Sequence, residues 1–209
     1  MKVAVHNIKG KETAKKVDLK KNIFGIEPND HAIYLDVKQY LANQRRGTSK
    51  TKERGEITGS RRKIRKQKGS GMARVGDIKN PIFRGGGRIF GPKPRDYDSK
   101  LNKKVKRLAR KSALSYKAKD NNIIVLEDFS FDTPKTKEYL NILNNLDQLN
   151  SKTLMVLSDV NKNIFLSSRN LKKAKVVRAS DLCTYEIMNA NKLLILEGSV
   201  KEIEETLNN

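Results

Sequence analysis

Two glycine-rich stretches have residue types that could bind a nucleotide, but neither completes a known motif. Gly71 and Gly76 are spaced as in a phosphate-binding P-loop, yet an Asp-Ile pair at 77–78 stands where that loop needs a lysine and a hydroxyl side chain. The triple glycine at 85–87 follows no buried-strand pattern and leads into no plain helix pattern, unlike a dinucleotide fingerprint. The sequence therefore predicts no nucleotide chemistry at either stretch.

Candidate nucleophiles, bases and metal ligands are equally sparse. His6 and His31 are far apart and have no metal or triad spacing, and Cys183 is the only cysteine, which excludes a disulfide framework. We interpret Cys183 as a small buried residue on a helix face. The Glu127-Asp128 pair closes a predicted strand, where catalytic acids do occur, but a solvated strand end is the simpler interpretation. We therefore predict no catalytic residue, no metal site, no cofactor and no enzymatic activity.

Basic residues, in contrast, are abundant and concentrated. The 209 residues include 45 Lys+Arg and 23 Asp+Glu, which gives a formal net charge of +22. Residues 45–95 alone hold 17 of the basic residues, only three acidic ones, and 10 of the 13 glycines. A balance this positive points to a polyanionic partner, because neutralising phosphates relieves the self-repulsion of the free chain.

The residue types in 45–95 suit binding to structured RNA. Arginine holds phosphate oxygens with two parallel hydrogen bonds and stacks on bases, lysine acts as a mobile point charge, and glycine permits close backbone approach. The segment is too long and too poor in apolar residues to order itself, so we expect it to fold on its partner. The predicted RNA-binding residues are Arg45, Arg46, Lys50, Lys52, Arg54, Arg61, Arg62, Lys63, Arg65, Lys66, Gln67, Lys68, Arg74, Arg84, Arg88, Lys93, Arg95, Lys103 and Lys104.

Two aromatic residues of this segment leave two alternatives open. Phe83 and Phe90 either stack on unpaired bases or anchor the return of the segment to the rest of the protein. The sequence favours the anchoring role only slightly.

The rest of the chain, 1–44 and 96–209, predicts a globular α/β body into which 45–95 is inserted. Residues 2–8 alternate as in a half-exposed strand, three continuous apolar runs at 123–126, 154–157 and 193–196 predict strands buried on both faces, and 175–178 predicts another strand. Helices are predicted after a cap at Asp30, from a cap at Ser99 to about Lys119, at Pro134–Leu146 with Thr133 as the cap, at Asn161–Ser168, at Asp181–Met188 and at Ser199–Leu207. Repeated strand–helix units predict an open, mostly parallel sheet with helices on both faces.

Membrane and secretory classes are excluded at this level. The sequence contains no run of eighteen apolar residues, and its N-terminus lacks the apolar region of a signal peptide. We therefore expect no membrane partner.

Several short motifs occur along the chain. They are Arg45–Thr48, Gly59-Ser60, Arg65–Arg74 (RKQKGSGMAR), Pro81, Gly85–Gly87, Phe90–Arg95 (FGPKPR), Lys100–Lys104, Lys111–Ser115, Pro134–Lys137 and Ser168–Leu171. In this set the chain closely resembles the bacterial L-four family of large-subunit ribosomal proteins, over nearly its whole length. The Gln-Lys-Gly-Ser-Gly-x-Ala-Arg run followed by the triple glycine is the most specific part.

The resemblance implies a structural function in the ribosome. The body would be Rossmann-like and lie on the outside of the large subunit, in the cytoplasm, and the loop would thread into several domains of 23S ribosomal RNA early in assembly. The loop tip would line the polypeptide exit tunnel, next to the nascent peptide and to the extended loop of another ribosomal protein. The implied tip residues are Arg65, Gln67, Lys68, Gly69, Met72 and Arg74. The aromatic residue that many members carry near the tip is absent at 64–66, which puts one stacking contact in doubt.

Two other interpretations make different predictions. An RNA-modifying or nucleotide-binding α/β enzyme with a basic insertion would need a ligand pocket at the carboxyl edge of the sheet. A DNA-compacting protein would bind any duplex with similar affinity, whereas a ribosomal protein would prefer folded 23S RNA. The missing catalytic motifs count against the enzyme, and the glycine-turn pattern counts against the DNA-compacting protein.

Overall fold

The apolar runs and periodic segments form alternating strands and helices. The computed structural model describes residues 1–208, which contain six strands and seven helices. The strands are β1 Lys2–His6, β2 Glu12–Asp18, β3 Ile123–Leu126, β4 Thr153–Leu157, β5 Ala174–Arg178 and β6 Lys192–Leu196. The helices are α1 Lys21–Phe24, α2 Asp30–Asn43, α3 Lys103–Lys119, α4 Thr136–Asn145, α5 Lys162–Ser168, α6 Thr184–Asn189 and α7 Glu197–Asn208.

The chain divides into two compact units. Residues 1–41 and the chain from residue 100 onward form the first, which we call the body unit, and residues 42–99 form the second, the arm unit. The predicted insertion at 45–95 lies within the arm unit. Residues 44–102, all of them described, contain no helix or strand.

The strands of the body unit form one open sheet in the order β2-β1-β3-β6-β4-β5. Strands β1, β3, β6, β4 and β5 run parallel to one another, and the edge strand β2 pairs antiparallel with β1. The predicted mostly parallel sheet is therefore confirmed. The edge strand β2 and the short helix α1 were not predicted, because β2 is largely exposed and carries lysines where an apolar pattern would reveal a strand.

The core lies on both faces of this sheet. Alternate residues of the central strands point to opposite sides, as their period of two requires. Leu154, Val156, Leu193 and Ile195 pack in one cluster with residues of α1, α3, α6 and α7. Met155, Leu157, Leu194 and Leu196 pack in the other with residues of α4 and α5. Helices therefore cover both faces, as the continuous apolar runs predict.

The start of α2 differs from the prediction. The amide oxygen of Asn29 accepts a hydrogen bond from the backbone N–H of Ala32 at 2.9 Å, so Asn29 caps the helix. Asp30 lies inside the first turn, where its carboxylate accepts a hydrogen bond of 2.6 Å from the hydroxyl of Tyr116. The prediction of Asp30 as the cap was wrong, because the Asp30 side chain is hydrogen-bonded to Tyr116, a residue distant in sequence.

Three further helices begin later than predicted. Helix α3 follows Asn102 rather than Ser99, whose backbone N–H donates to the side chain of Asn43. Helix α4 begins at Thr136 after Lys135, not at Pro134. Helix α6 begins at Thr184 rather than Asp181, whose carboxylate pairs with Arg178 at 2.6 Å.

The buried faces of α2 and α3 also differ from the simple apolar pattern. Tyr34 and Leu41 of α2 and Leu108 of α3 are exposed. Helix α3 instead buries a face of mostly small residues, which lets it approach its neighbours closely: Ala109, Ser112, Ala113, Ser115 and Ala118, together with Leu114. Within residues 1–208, no helix combines the length and the apolar composition needed to cross a bilayer.

Candidate nucleic-acid interface

The two ends of the arm unit are joined by backbone hydrogen bonds. Arg95 N–H donates to Gly47 C=O at 3.0 Å, Thr51 N–H to Pro92 C=O at 3.2 Å, and Arg88 N–H to Lys52 C=O at 3.0 Å. Nearer the middle, Gly87 N–H donates to Lys79 C=O at 2.9 Å and Ile64 N–H to Gly76 C=O at 3.0 Å. The last bond closes a terminal loop, 64–76, that contains the predicted tip.

The glycines of the arm unit have two different physical roles. At Gly47 and Gly91 the facing chain is so close that a side-chain carbon would lie 1.8 Å from the Arg95 carbonyl oxygen or 1.9 Å from the Thr51 hydroxyl. At Gly69 the neighbouring space is open, but the backbone has a φ of +84°, which side chains rarely adopt. Glycine therefore permits close pairing of the two segments of the arm and a sharp bend at its tip.

All three acidic residues of the basic segment pair inside the arm unit. Glu56 accepts a hydrogen bond from Lys50, which lowers the pKa of the Glu56 carboxyl. Asp77 pairs with Arg54 at 2.8 Å, and Glu53 pairs with Lys93 at 2.9 Å. Since 45–95 holds 17 basic residues and three acidic ones, its surface keeps a large positive excess after these pairs are formed.

Most of the predicted binding residues are exposed, as an interface requires. Of the nineteen, Arg65 is half-buried and the other eighteen are exposed, including Lys103 and Lys104 at the first turn of α3 in the body unit. Lys63 donates a hydrogen bond to Gln67 within the tip. Lys79, which was not among the predicted residues, is buried. The predicted binding residues are thus accessible to a partner. Lys79, the one basic residue of 45–95 that was not predicted to bind, is not accessible.

Tyr97 brings together two arginines that are far apart in sequence. The guanidinium carbons of Arg45 and Arg95 lie 3.9 and 4.5 Å from the centre of the Tyr97 ring. A side-chain hydrogen bond from Arg95, together with the charge of both arginines, lowers the pKa of Tyr97. Sequence analysis missed Tyr97, because nothing in its local pattern indicates a contact with Arg45.

The two aromatic residues of the basic segment have different environments. Phe83 is half-buried within a series of turns, where its N–H donates to Asn80 C=O at 3.0 Å and its C=O accepts from Gly86 N–H at 2.9 Å. Phe90 is fully exposed and has a left-handed backbone, with a φ of 52°. The full exposure of the Phe90 ring agrees with the stacking alternative rather than with the anchoring one.

The candidate catalytic residues of the body unit do not converge. His6 lies on β1 and His31 on α2, and residues 1–208 contain no group of three His, Cys, Asp or Glu side chains able to hold a metal ion. Cys183 is half-buried directly before α6 rather than on a helix face, and burial raises the pKa of its thiol, which disfavours the nucleophilic thiolate.

The acidic pair at the end of β3 has structural roles. Asp128 is exposed, and both of its carboxylate oxygens lie 3.2 Å from the backbone N–H of Gly198, in the first turn of α7. A carboxylate there satisfies an unpaired helix donor and interacts favourably with the helix dipole. Glu127 lies 4.0 Å from Lys15. The solvated strand end expected from the sequence thus also serves as a helix cap.

An open cavity of about 550 Å³ does occur at the carboxyl ends of β4 and β5, where an α/β enzyme would bind its substrate. Its lining is largely apolar, with Leu157, Val160, Phe165 and Val177, and its charged residues include the paired Arg178 and Asp181. No His or Cys lines it. Its two remaining charged residues are Asp159 and Lys175, and Lys175 forms an ion pair with Glu186.

An α/β body together with a glycine-rich unit of strongly basic surface is typical of proteins that bind nucleic acid. Residues 17–206 match the sequence model of the ribosomal protein L4/L1 family, and the chain belongs to this family. Members of the family are structural proteins and not enzymes, which confirms the predicted absence of catalysis. The resemblance noted from the sequence motifs is likewise confirmed.

Curated relatives match over nearly the full length of the chain. The large ribosomal subunit protein uL4 of Christiangramia forsetii is 62% identical over 207 residues, which cover 99% of this chain and 100% of that protein. The protein of the same name from Flavobacterium johnsoniae is 61% identical, with 99% of each chain covered. That of Cytophaga hutchinsonii is 60% identical over 208 residues, with both chains covered completely.

Proposed function

We propose that this protein is a structural component of the large ribosomal subunit that binds 23S ribosomal RNA through its arm unit. Its family and the names of its relatives support the ribosomal assignment. The observation that carries RNA binding is the arm surface: all three acidic residues of 45–95 are paired internally, while the predicted basic residues are almost all exposed. Binding then neutralises the positive excess and releases counterions from the RNA.

The finer proposal concerns the tip of the arm. Residues 57–76 contain seven basic residues and no acidic one, and the Ile64–Gly76 hydrogen bond closes the last part of this stretch, 64–76, into a loop. We propose that residues 65–74 reach the wall of the polypeptide exit tunnel, next to the nascent peptide and a second tunnel-lining protein loop. The arm would contact several RNA domains and so assist early subunit assembly, with a Rossmann-like body remaining outside.

The decisive experiment compares the full chain with a variant in which residues 45–95 are replaced by a short Gly/Ser linker. Both proteins are titrated with a 5′-half fragment of 23S RNA at one fixed salt concentration, with generic duplex RNA and duplex DNA as competitors. Circular dichroism of both proteins checks that the body unit has folded.

The proposal predicts competitor-resistant binding by the full chain and a large loss of affinity in the variant. Equal and easily competed binding by both proteins would show that the arm does not contribute to binding and would contradict the proposal. Equal affinity of the full chain for DNA and for the 23S fragment would favour a DNA-compacting protein instead. The salt dependence is a second test, because log K should fall linearly with log salt by about 0.7–0.9 per neutralised phosphate.

A further inference from the structure

The arm unit contains an open cavity of about 700 Å³ that we call the arginine groove. It is lined by residues 45–49, 90–95 and Tyr97. Four of these lining residues are basic (Arg45, Arg46, Lys93 and Arg95), and none is acidic. Its volume lies within the range of about 300–1,000 Å³ that is typical of cavities for small ligands. The groove is thus a concave surface with a net positive lining.

Two of its arginines are held in place before any ligand arrives. Arg45 and Arg95 both lie over the Tyr97 ring, at 3.9 and 4.5 Å from its centre. The backbone bond from Arg95 N–H to Gly47 C=O, at 3.0 Å, holds the two chain segments together at the same level. Arginine side chains that are already ordered lose less entropy on binding. Because two like charges converge on one ring, an anion between or beside them relieves their repulsion.

At the edge of the same groove, Phe90 presents an uncovered aromatic ring. Its side chain is fully exposed, and its φ of 52° is a left-handed conformation that is unfavourable for a bulky residue. The neighbouring backbone is fixed, since Gly91 is pressed against the Thr51 side chain and Pro92 C=O accepts from Thr51 N–H. A bulky residue held in an unfavourable backbone conformation, with its apolar ring in water, is typical of a binding contact.

We propose that the arginine groove binds an unpaired RNA nucleotide, whose base stacks on Phe90 and whose phosphates are held by Arg45 and Arg95. This inference rests on the proposed function and adds the form of RNA that the groove takes. A duplex hides the faces of its bases, so an aromatic ring stacks only on a base that is free of its partner. An anionic protein segment would satisfy the arginines but would leave the Phe90 ring without a flat partner.

The test uses the full chain and three variants: Phe90→Ala, Phe90→Trp and, as the matched control, Ile82→Ala. Ile82 is an exposed apolar residue of the same unit that does not line the groove. Each protein is titrated with the 5′-half fragment of 23S RNA, with a 12-nucleotide single-stranded RNA, and with a duplex RNA of the same length. Thermal unfolding checks that all four proteins are folded alike.

We expect Phe90→Ala to weaken binding to the 23S fragment and to the single strand by about 5- to 150-fold, the range for loss of one base–aromatic stack. The slope of log K against log salt should not change, because no charge is lost. Phe90→Trp should bind at least as tightly as the parent, and Ile82→Ala within about twofold of it. Binding to the duplex should be unaffected in these three variants. A fourth variant, Arg45→Gln, should instead reduce the salt slope by about one phosphate contact while it melts like the parent protein.

Three results would overturn the inference while leaving the proposed function intact. Phe90→Ala could behave like Ile82→Ala, it could weaken duplex and single-strand binding equally, or polyglutamate could compete as well as the single strand. Failure of the parent protein itself to prefer the 23S fragment over generic duplex would overturn the proposed function, so the two failures are distinguishable.

Discussion

The body unit and the arm unit of this protein are stabilised by different interactions. The body buries two apolar clusters on the faces of its sheet. Among the described residues, no buried apolar side chain lies in 42–99, and the arm depends on backbone hydrogen bonds and ion pairs instead. Large apolar side chains that the arm leaves exposed are Ile64, Met72, Ile78, Ile82, Ile89 and Phe90.

This difference indicates where the stability of each unit originates. Burial of apolar surface is the main driving force of folding, so we expect the body unit to fold without a partner. Surface ion pairs contribute little, and a backbone bond in contact with water contributes only modestly. We therefore expect the arm to gain stability from an outside partner, and a polyanion would balance its excess positive charge. Substitutions in the body unit should therefore change the free energy of unfolding, and substitutions in the arm unit should change RNA binding.

The largest effect should come from the centre of the sheet. Leu193 is fully buried in β6, and Leu193→Ala should lower the free energy of unfolding by about 2–5 kcal/mol, because it removes apolar contacts and leaves a cavity. The matched arm substitution Ile89→Ala should change it by less than about 0.5 kcal/mol. Urea unfolding followed by circular dichroism measures both. A comparable loss in the two variants would contradict the division into units.

The next effect should be specific to the arm. In Gly47→Ala the new methyl group would lie 1.8 Å from the Arg95 carbonyl oxygen, so the two paired segments of the arm must move apart. We expect at least about tenfold weaker binding to the 23S fragment, about 1.4 kcal/mol, with an unchanged melting temperature. Gly55→Ala is the control, since open space surrounds that position. Equal binding by the two variants would show that the pairing of the arm ends does not matter.

A charge reversal at the tip should act on binding and not on folding. Lys68→Glu should leave the circular dichroism spectrum intact and reduce the salt slope of RNA binding by about one unit or more. Lys201→Glu makes the same charge change at an exposed position of α7 in the body unit. If both variants lower the slope equally, the total charge of the chain matters and its position does not.

A smaller effect is expected at the cap of α7. Asp128→Ala removes the carboxylate near Gly198 N–H and should lower the free energy of unfolding by about 0.5–2 kcal/mol. RNA binding should be unchanged, because Asp128 belongs to the body unit. Asp128→Asn keeps an acceptor and should restore most of the stability. A loss of stability by Asp128→Asn as large as that by Asp128→Ala would mean that charge, and not the acceptor, is what stabilises the helix.

The smallest effect concerns the thiol of Cys183. Because burial raises its pKa, the folded protein carries less thiolate at pH 8 than the unfolded chain does. Alkylation by iodoacetamide at pH 8 should therefore be slower in native buffer than in urea. Faster labelling of the native protein would indicate an activated cysteine and would reopen the question of catalysis.

Much of the body could be predicted from local sequence. The strands at 123–126, 154–157 and 193–196 are short apolar runs, and any arrangement that hides them from water must cover both faces. Asn161 was placed correctly at the start of α5, because a cap forms bonds within its own turn, here to the N–H groups of Asn163 and Ile164. The excess of positive charge in 45–95 could also be predicted, because it follows from the number of basic and acidic residues alone.

Tertiary structure decided the features that depend on residues far apart in sequence. Tyr116 donates a hydrogen bond to the carboxylate of Asp30, and Asn29 caps α2 instead. Arg45 and Arg95 both lie over the ring of Tyr97. Phe90 and Phe83 have the same side chain, yet one is fully exposed and the other half-buried. Composition and periodicity determine which segments must avoid water, because that depends on the residues themselves. Which individual side chains meet depends on how the segments pack, and no local pattern records it.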